Sequence, residues 1–389
     1  MIFDVSFLLR VGAAVLVAAV LSFLMTMPVR RLAVRIGAID DPKDDRRMHK
    51  EPIPRMGGLA IFLGFLVSAL VFTPQMDRGL LAILLGAVLI VGLGVADDKY
   101  TLPAKAKLLV QLLAAAVVVF YGDLRIDRLT NPFGSSLYSY WDLGLWAYPI
   151  TIIWILAITN AVNFIDGLDG LACGVSGISS INLMIIALLV SNGQAAVWMA
   201  ALTGACIGFL PHNFNPAKIF MGDTGSNFLG FMLAAVSIQG LFKAYTVISF
   251  LVPILLLGLP IFDICFAVIR RVAHGQSPMQ ADRGHFHHRL IDMGFSQRQS
   301  VSIAYVLTGI LGLSAVLLTV SGAVRTMIML SVILVIGAVG MHFILRTGPR
   351  SGNPATARQE AASEADAAQT EAGEPTADVT EADGSGTAN

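Results

Sequence analysis

The sequence predicts an all-α, polytopic integral membrane protein with about eleven transmembrane helices. Three observations carry that expectation. Of the 389 residues, 56% are hydrophobic and 13% charged, and the mean hydropathy is +0.74; soluble domains carry about 25% charge. Apolar runs close to the ~20 residues that a spanning helix needs recur along the chain. The runs are continuous and do not alternate with polar residues, as helices require and a barrel does not.

The first run, 5–27, has no basic stretch before it and no small-residue cleavage pattern after it, so it reads as an anchor and not a leader. Runs at 57–73, 79–95, 105–121 and 147–162 follow, the first of them starting on Gly57-Gly58. Then come 174–191, 195–211, the short 226–240, 246–268, 300–320 and 325–345. Together these make 1–346 a transmembrane catalytic domain. Residues 347–389 read as a disordered, acidic, low-complexity tail. Beyond Arg358 that tail holds eight acids and no Lys or Arg, and it has too few large apolar side chains to bury a core. Cys173, Cys206 and Cys265 show no metal spacing and read as packing residues.

The net charge of zero hides an asymmetry, because the first 358 residues carry 26 basic groups against 18 acidic ones. With the N-terminus outside, 20 Lys and Arg fall on inner segments and five on outer loops. The positive-inside rule therefore puts the C-terminus, and every cluster of chemical residues, on the cytoplasmic side. The expected location is a bacterial cytoplasmic membrane. Tyr138, Tyr140, Trp141 and Trp146 in the outer loop read as an interfacial belt.

Acidic and histidine clusters stand at the inner ends of the runs. Ionisable residues in such segments are costly and usually mark a site. Asp97-Asp98 ends the third run; a solvated helix end is the plain alternative, weakened because acids at a helix C-terminus oppose its dipole. In Asn160-Ala-Val-Asn163-Phe-Ile-Asp166-Gly-Leu-Asp169-Gly, residues spaced by three share a helix face and make a row of hard oxygens suited to Mg²⁺. A linking loop would not need that density of acids and glycines. Phe220-Met-Gly-Asp223-Thr-Gly-Ser offers backbone N–H groups to an anion and a carboxylate to a metal, or simply caps a helix.

His285-Phe-His287-His288-Arg289, with Arg283 nearby, suits binding of a pyrophosphate or sugar better than a zinc site, since no Cys accompanies it. Lys50 and its basic neighbours could meet phosphates or merely obey the positive-inside rule. Asp263 lies about 10 Å from the inner end of its run at 1.5 Å per residue, as either a site residue or a structural partner. The competing non-enzyme reading, a transporter of nucleotide sugars or lipid precursors, would place polar residues near the midplane within repeats. No internal repeat is seen.

In order, Pro-Arg-Met-Gly-Gly, Asp97-Asp98, Asn-Ala-Val-Asn-Phe-Ile-Asp-Gly-Leu-Asp-Gly, Phe-Met-Gly-Asp-Thr-Gly-Ser and His-Phe-His-His resemble the polyprenyl-phosphate N-acetylhexosamine-1-phosphate transferases over about residues 30–345. The chain looks most like the WecA/TagO-like branch. The MraY branch, which uses UDP-MurNAc-pentapeptide, has His-His-His where this chain has Phe286, and an eleventh span also fits the former better.

The resemblance implies transfer of N-acetylglucosamine-1-phosphate from UDP-N-acetylglucosamine to undecaprenyl or another polyprenyl phosphate, with release of UMP, as the first membrane step of an envelope polysaccharide pathway. Transfer of phospho-MurNAc-pentapeptide or another N-acetylhexosamine-1-phosphate is the alternative. It implies Mg²⁺, with Mn²⁺ as a substitute, held by Asp223 and Asn163. Asp97, Asp98, Asp166 and Asp169 form the catalytic set, the last two at the nucleotide. Asn213, Phe220, His285, His287 and His288 would bind substrate, joined by Arg283, Lys50 and Asp263. The partners are the two substrates and membrane lipid, without nucleic acid, and a homodimer is a possible assembly.

Overall fold

A computed structural model describes residues 4–41, 51–73, 75–130, 140–239, 251–273 and 285–320. All of them fall in one compact unit, Met1–Leu334. Lys50, Arg283, the run 325–345 and the acidic tail lie outside the described residues.

The chain forms helices because its apolar runs can satisfy their backbone groups only internally. Helix α1 (Val5–Ile36) starts where the Asp4 carboxylate accepts from Phe7 N at 2.8 Å and ends on Gly37 at φ 77°. Its end leads into β1 (Ile39–Asp40), which pairs antiparallel with β2 (Ile53–Pro54). Helices α2 (Gly58–Phe72), α3 (Arg78–Tyr100) and α4 (Ala104–Ala116) follow, α4 running on through a π-turn to Tyr121. At the opposite end, β3 (Arg128–Thr130) pairs with β4 (Tyr140–Asp142), which carries exposed Trp141 and is followed by exposed Trp146. Then come α5 (Ala147–Phe164), α6 (Leu171–Leu189), α7 (Gly193–Asn213) and α8 (Gly222–Ser237). The last described helices are α9 (Leu251–Leu256), α10 (Gly258–Ala273), α11 (Phe286–Asp292) and α12 (Gln297–Val320).

The expectation of about eleven spans is overturned. Among the described residues, seven helices are long and apolar enough to cross a membrane: α1, α3, α4 with its π-turn, α5 with the preceding turn, α6, α7 and α12. Length is the physical reason. Helix α2 has 15 residues and α8 has 16, so at 1.5 Å per residue they reach only about 22–24 Å of a ~30 Å hydrocarbon layer. The run 246–268 is not one helix either, since α9 and α10 divide it at Leu257. The run 325–345 lies outside the described residues. A span count therefore no longer helps to choose between branches of the resembled family.

Short α8 is nonetheless the centre of the bundle. Its residues from Thr224 to Ser237 are all buried, among α2, α3 and α5. Gly94 of α3 makes this possible, because a Cβ there would stand 2.3 Å from Thr224 Cα. The absence of a side chain lets the end of α3 touch the start of α8, and that contact places the site.

Candidate active site

Neighbouring residues on a helix diverge by about 100°, and Asp97 and Asp98 at the end of α3 use that divergence. Asp98 turns to the start of α8 and accepts from Asp223 N at 2.9 Å, Thr224 N at 3.1 Å and Thr224 Oγ1 at 2.6 Å. It caps that helix from another element, satisfying N–H groups that α8 cannot pair itself. Asp97 turns away. Its Oδ1 accepts from Leu102 N at 2.7 Å and its Oδ2 from Lys107 Nζ at 3.1 Å.

Lys107, in the first turns of α4, also donates to Asp223 Oδ2 at 2.9 Å. One ammonium thus joins two carboxylates separated by 126 positions in the chain. The other oxygen of Asp223 accepts from Asn163 Nδ2 at 3.2 Å, and Asn163 donates to Ser226 Oγ at 2.8 Å. Asp97, Lys107, Asn163 and Asp223 therefore meet, supplied by four helices.

The loop from Asn163 to Gly170 continues the wall. Asp166 faces a cavity, and loss of hydration, reinforced by the Asp223 and Asp98 charges against the pull of Arg55, pushes its carboxyl up to about 8. At Gly167 a Cβ would come within 2.3 Å of His287 Nε2, so glycine is what admits that imidazole. Asp169 accepts from Asn215 Nδ2 and Ala217 N, both at 3.0 Å, and fixes the segment before α8. Asn213 spends both ends of its amide nearby, accepting from Gly170 N and donating to Ile219 O at 3.1 Å each. Phe220 is clamped through its backbone, which donates to Pro54 O at 2.8 Å and accepts from Gly57 N at 2.9 Å.

The histidines arrive at the start of α11, with His285 as its N-cap residue. Buried Asp263 of α10 accepts from Phe286 N at 2.6 Å and lies 2.8 Å from His285 Nδ1. His285, His287 and His288 follow as a ladder of rings, with centroids 5.9 and 4.3 Å apart. Burial lowers His287 to about 3, and the His288 charge adds to this, so His287 is a neutral imidazole.

These elements enclose a cavity of about 650 Å³. Asp166, Asp169, Asn213, Phe220, Asp223 and His288 line it, as do Asp40, Arg55 and Gln297. The volume suits a nucleotide-sized ligand. Among the described residues, no group of three or more His, Cys, Asp or Glu side chains has a metal-holding geometry. The donor set still fits one hard cation. Mg²⁺ takes one or two carboxylates and keeps several waters; Asp223 and the Asn163 amide oxygen would offer that much once the amide turns from the orientation in which its Nδ2 donates to Asp223.

Comparison with known proteins gives the family. Residues 80–241 match the model described as Glycosyl transferase family 4. The chain is 42% identical over 313 residues, 80% of its length and 86% of the relative's, to the Bacillus subtilis (strain 168) protein named "Probable undecaprenyl-phosphate N-acetylglucosaminyl 1-phosphate transferase". It is 38% identical over 364 residues, 86% of this chain and 89% of the relative, to the "Decaprenyl-phosphate N-acetylglucosaminephosphotransferase" of Mycobacterium tuberculosis (strain ATCC 25618 / H37Rv). It is 27% identical over 307 residues, 77% and 82% of the two chains, to the Escherichia coli (strain K12) "Undecaprenyl-phosphate alpha-N-acetylglucosaminyl 1-phosphate transferase". The chain belongs to glycosyl transferase family 4.

The matched segment of this family 4 transferase holds Asp97, Asp98, Asn163, Asp166, Asp169, Asn213, Phe220 and Asp223, and leaves the histidines outside. Sequence reasoning missed one cation of the transferase site. Lys107 reads from the sequence only as one of the inner-segment basic residues, although three lysines within nine residues of an Asp-Asp pair are a usable signal. Arg55, one of the basic neighbours of Lys50 that could meet phosphates, pairs with Asp40 at 2.7 Å on the cavity wall. Lys50 and Arg283 lie outside the described residues.

Proposed function

We propose that this transferase moves N-acetylglucosamine-1-phosphate from UDP-N-acetylglucosamine to undecaprenyl phosphate or a close polyprenyl phosphate, releasing UMP on the cytoplasmic side. The observation that carries this reading is the Asp97–Lys107–Asp223–Asn163 cluster at the edge of a nucleotide-sized cavity. The names of the relatives support the sugar and the lipid. The cytoplasmic placement rests on the basic residues at the cavity end: Arg30, Arg31 and Arg35 close α1, and Arg270 and Arg271 close α10.

A phosphate oxygen of the lipid attacks the sugar-linked phosphorus, and the bond from that phosphorus to the oxygen shared with UMP breaks. One pyrophosphate forms as another is lost, so the driving force is small and the protein's work is positioning and charge neutralisation. The lipid phosphate has a second pKa near 6 and is mostly a dianion at neutral pH, so little proton remains for a base to take. Asp97, held between Leu102 N and Lys107, orients the reacting groups. Lys107 offsets the repulsion between the two carboxylates and the incoming anions. Asp223 and Asn163 would hold Mg²⁺, or Mn²⁺ in its place, which supplies Lewis-acid polarisation of the pyrophosphate. His288, Arg55 and Asp166 face the sugar and nucleotide in the cavity.

The test is UMP release from a panel of UDP-sugars with polyprenyl phosphate and Mg²⁺ in detergent. The purified protein is expected to favour UDP-N-acetylglucosamine, and Asp223→Ala to lower turnover by about 100-fold or more. Wild-type turnover by Asp223→Ala would remove the metal assignment, and preference for another sugar would replace the donor.

A further inference from the structure

Directly beneath the site lies a second layer of polar side chains, and it copies the first. Gln111 stands one helical turn from Lys107 on α4, Asn160 one turn from Asn163 on α5, and Asn227 one turn from Asp223 on α8. Gln111 is at the centre. Its Nε2 donates to Asn227 Oδ1 at 3.1 Å, and its Oε1 accepts from Asn160 Nδ2 at 2.9 Å. The outer amides are tied to their own helices: Asn160 Nδ2 donates to Leu156 O at 2.8 Å, and Asn227 Nδ2 to Asp223 O at 2.9 Å. Gln111 and Asn227 are 3% and 2% exposed, so water does not compete for these bonds.

Before its π-turn, where Val118 and Val119 are buried, helix α4 has few other means of fixing its rotation. Its buried residues are Gln111, Ala114 and Ala115, while Leu108, Leu109, Leu112 and Leu113 are exposed on its outer face. Two methyl groups slide and turn easily against neighbouring helices. A bidentate buried amide does not, because misplacing it strands polar groups where no water can replace the partner.

We propose that Gln111 is a positioning residue for the transfer reaction: clasped by Asn160 and Asn227, it fixes the rotation and height of α4 and so holds the Lys107 ammonium between Asp97 and Asp223. It touches neither substrate nor reacting atoms. The inference rests on the proposed role of Lys107 for its catalytic consequence, but its geometric content stands without turnover.

Gln111→Met tests it, since methionine keeps the length and helix propensity and removes both hydrogen bonds. Two readouts are taken on the detergent-solubilised full chain. The first is acetylation of lysines by an N-hydroxysuccinimide ester without substrate, mapped by mass spectrometry with exposed Lys105 as internal reference. A well-held, doubly paired Lys107 reacts slowly. In Gln111→Met the Lys107-to-Lys105 ratio is expected to rise by at least about fivefold, as the ammonium leaves its carboxylates. The second is kinetics: kcat should fall at least about tenfold, with KM for the nucleotide sugar within about twofold, the pattern of an interaction lost mainly in the transition state.

Should Gln111→Met fail to fold, Asn160→Leu leaves α4 intact and loosens the same clasp, with the same shift expected in weaker form. An unchanged acetylation ratio in a folded variant would overturn the proposal, as would a loss carried by KM alone. If the wild-type protein itself shows no transfer, the proposed function fails, and the acetylation ratio still decides whether Gln111 holds Lys107.

Discussion

Asp97 and Asp98 are adjacent in the sequence and distinct in the structure. Asp98 is consumed by three donors from α8, so it builds the site, whereas Asp97 shares the Lys107 ammonium with Asp223. Two carboxylates brought this close repel by several kcal/mol at a surface-like dielectric, about 4 at 4 Å, and a cation between them reverses the sign. Lys107→Met is therefore expected to lower kcat by about 100-fold. Lys107→Arg should recover only part of it, because a planar guanidinium does not replace a compact ammonium at a two-carboxylate seat. Steady-state kinetics on protein of unchanged melting temperature checks both, and full activity in Lys107→Met would dismiss the residue from the mechanism. Much of this was legible in the sequence: Asp97, Asn163 and Asp223 stand out as acids and amides at the ends of apolar runs. The roles of Asp169 and Asn213 as clamps on the 214–221 segment were not, because a hydrogen bond across 43 or 48 positions leaves no local signature.

Elements follow from apolar runs where length and hydropathy agree, as in α1, α3, α6, α7 and α12. They mislead where packing sets the boundary. The run around 226–240 is apolar because α8 is enclosed by protein, and hydropathy does not distinguish a protein interior from lipid. The contact of Gly94 with Thr224 carries a prediction of its own. Gly94→Val should destabilise the bundle by about 1–3 kcal/mol, since its side chain would meet backbone that cannot yield cheaply. It should also reduce transfer, because Asp98 and Asp223 sit on the two helices being forced apart. Thermal unfolding in detergent together with the UMP assay reads both, and a variant as stable and active as wild type would mean that α3 and α8 do not meet there.

At the scale of the molecule, orientation is the property with the simplest test. In a Cys265→Ala background, where Cys173 and Cys206 are buried, Asp142→Cys at the end of β4 should react with a membrane-impermeant maleimide in intact cells. Asp292→Cys at the end of α11 should react only after permeabilisation. The reverse pattern would put the cavity outside and contradict a cytoplasmic nucleotide donor. By itself, the sequence determined that the chain is helical and membrane-embedded and where its ionisable residues gather, because hydropathy and the cost of placing ions in apolar segments act locally. Tertiary structure alone decided that seven described helices are long enough to cross, that Asp98 caps while Asp97 faces Lys107, and that Gln111 sits between Asn160 and Asn227. Those outcomes depend on which helix ends meet, and that is fixed by the fit of buried surfaces from distant parts of the chain.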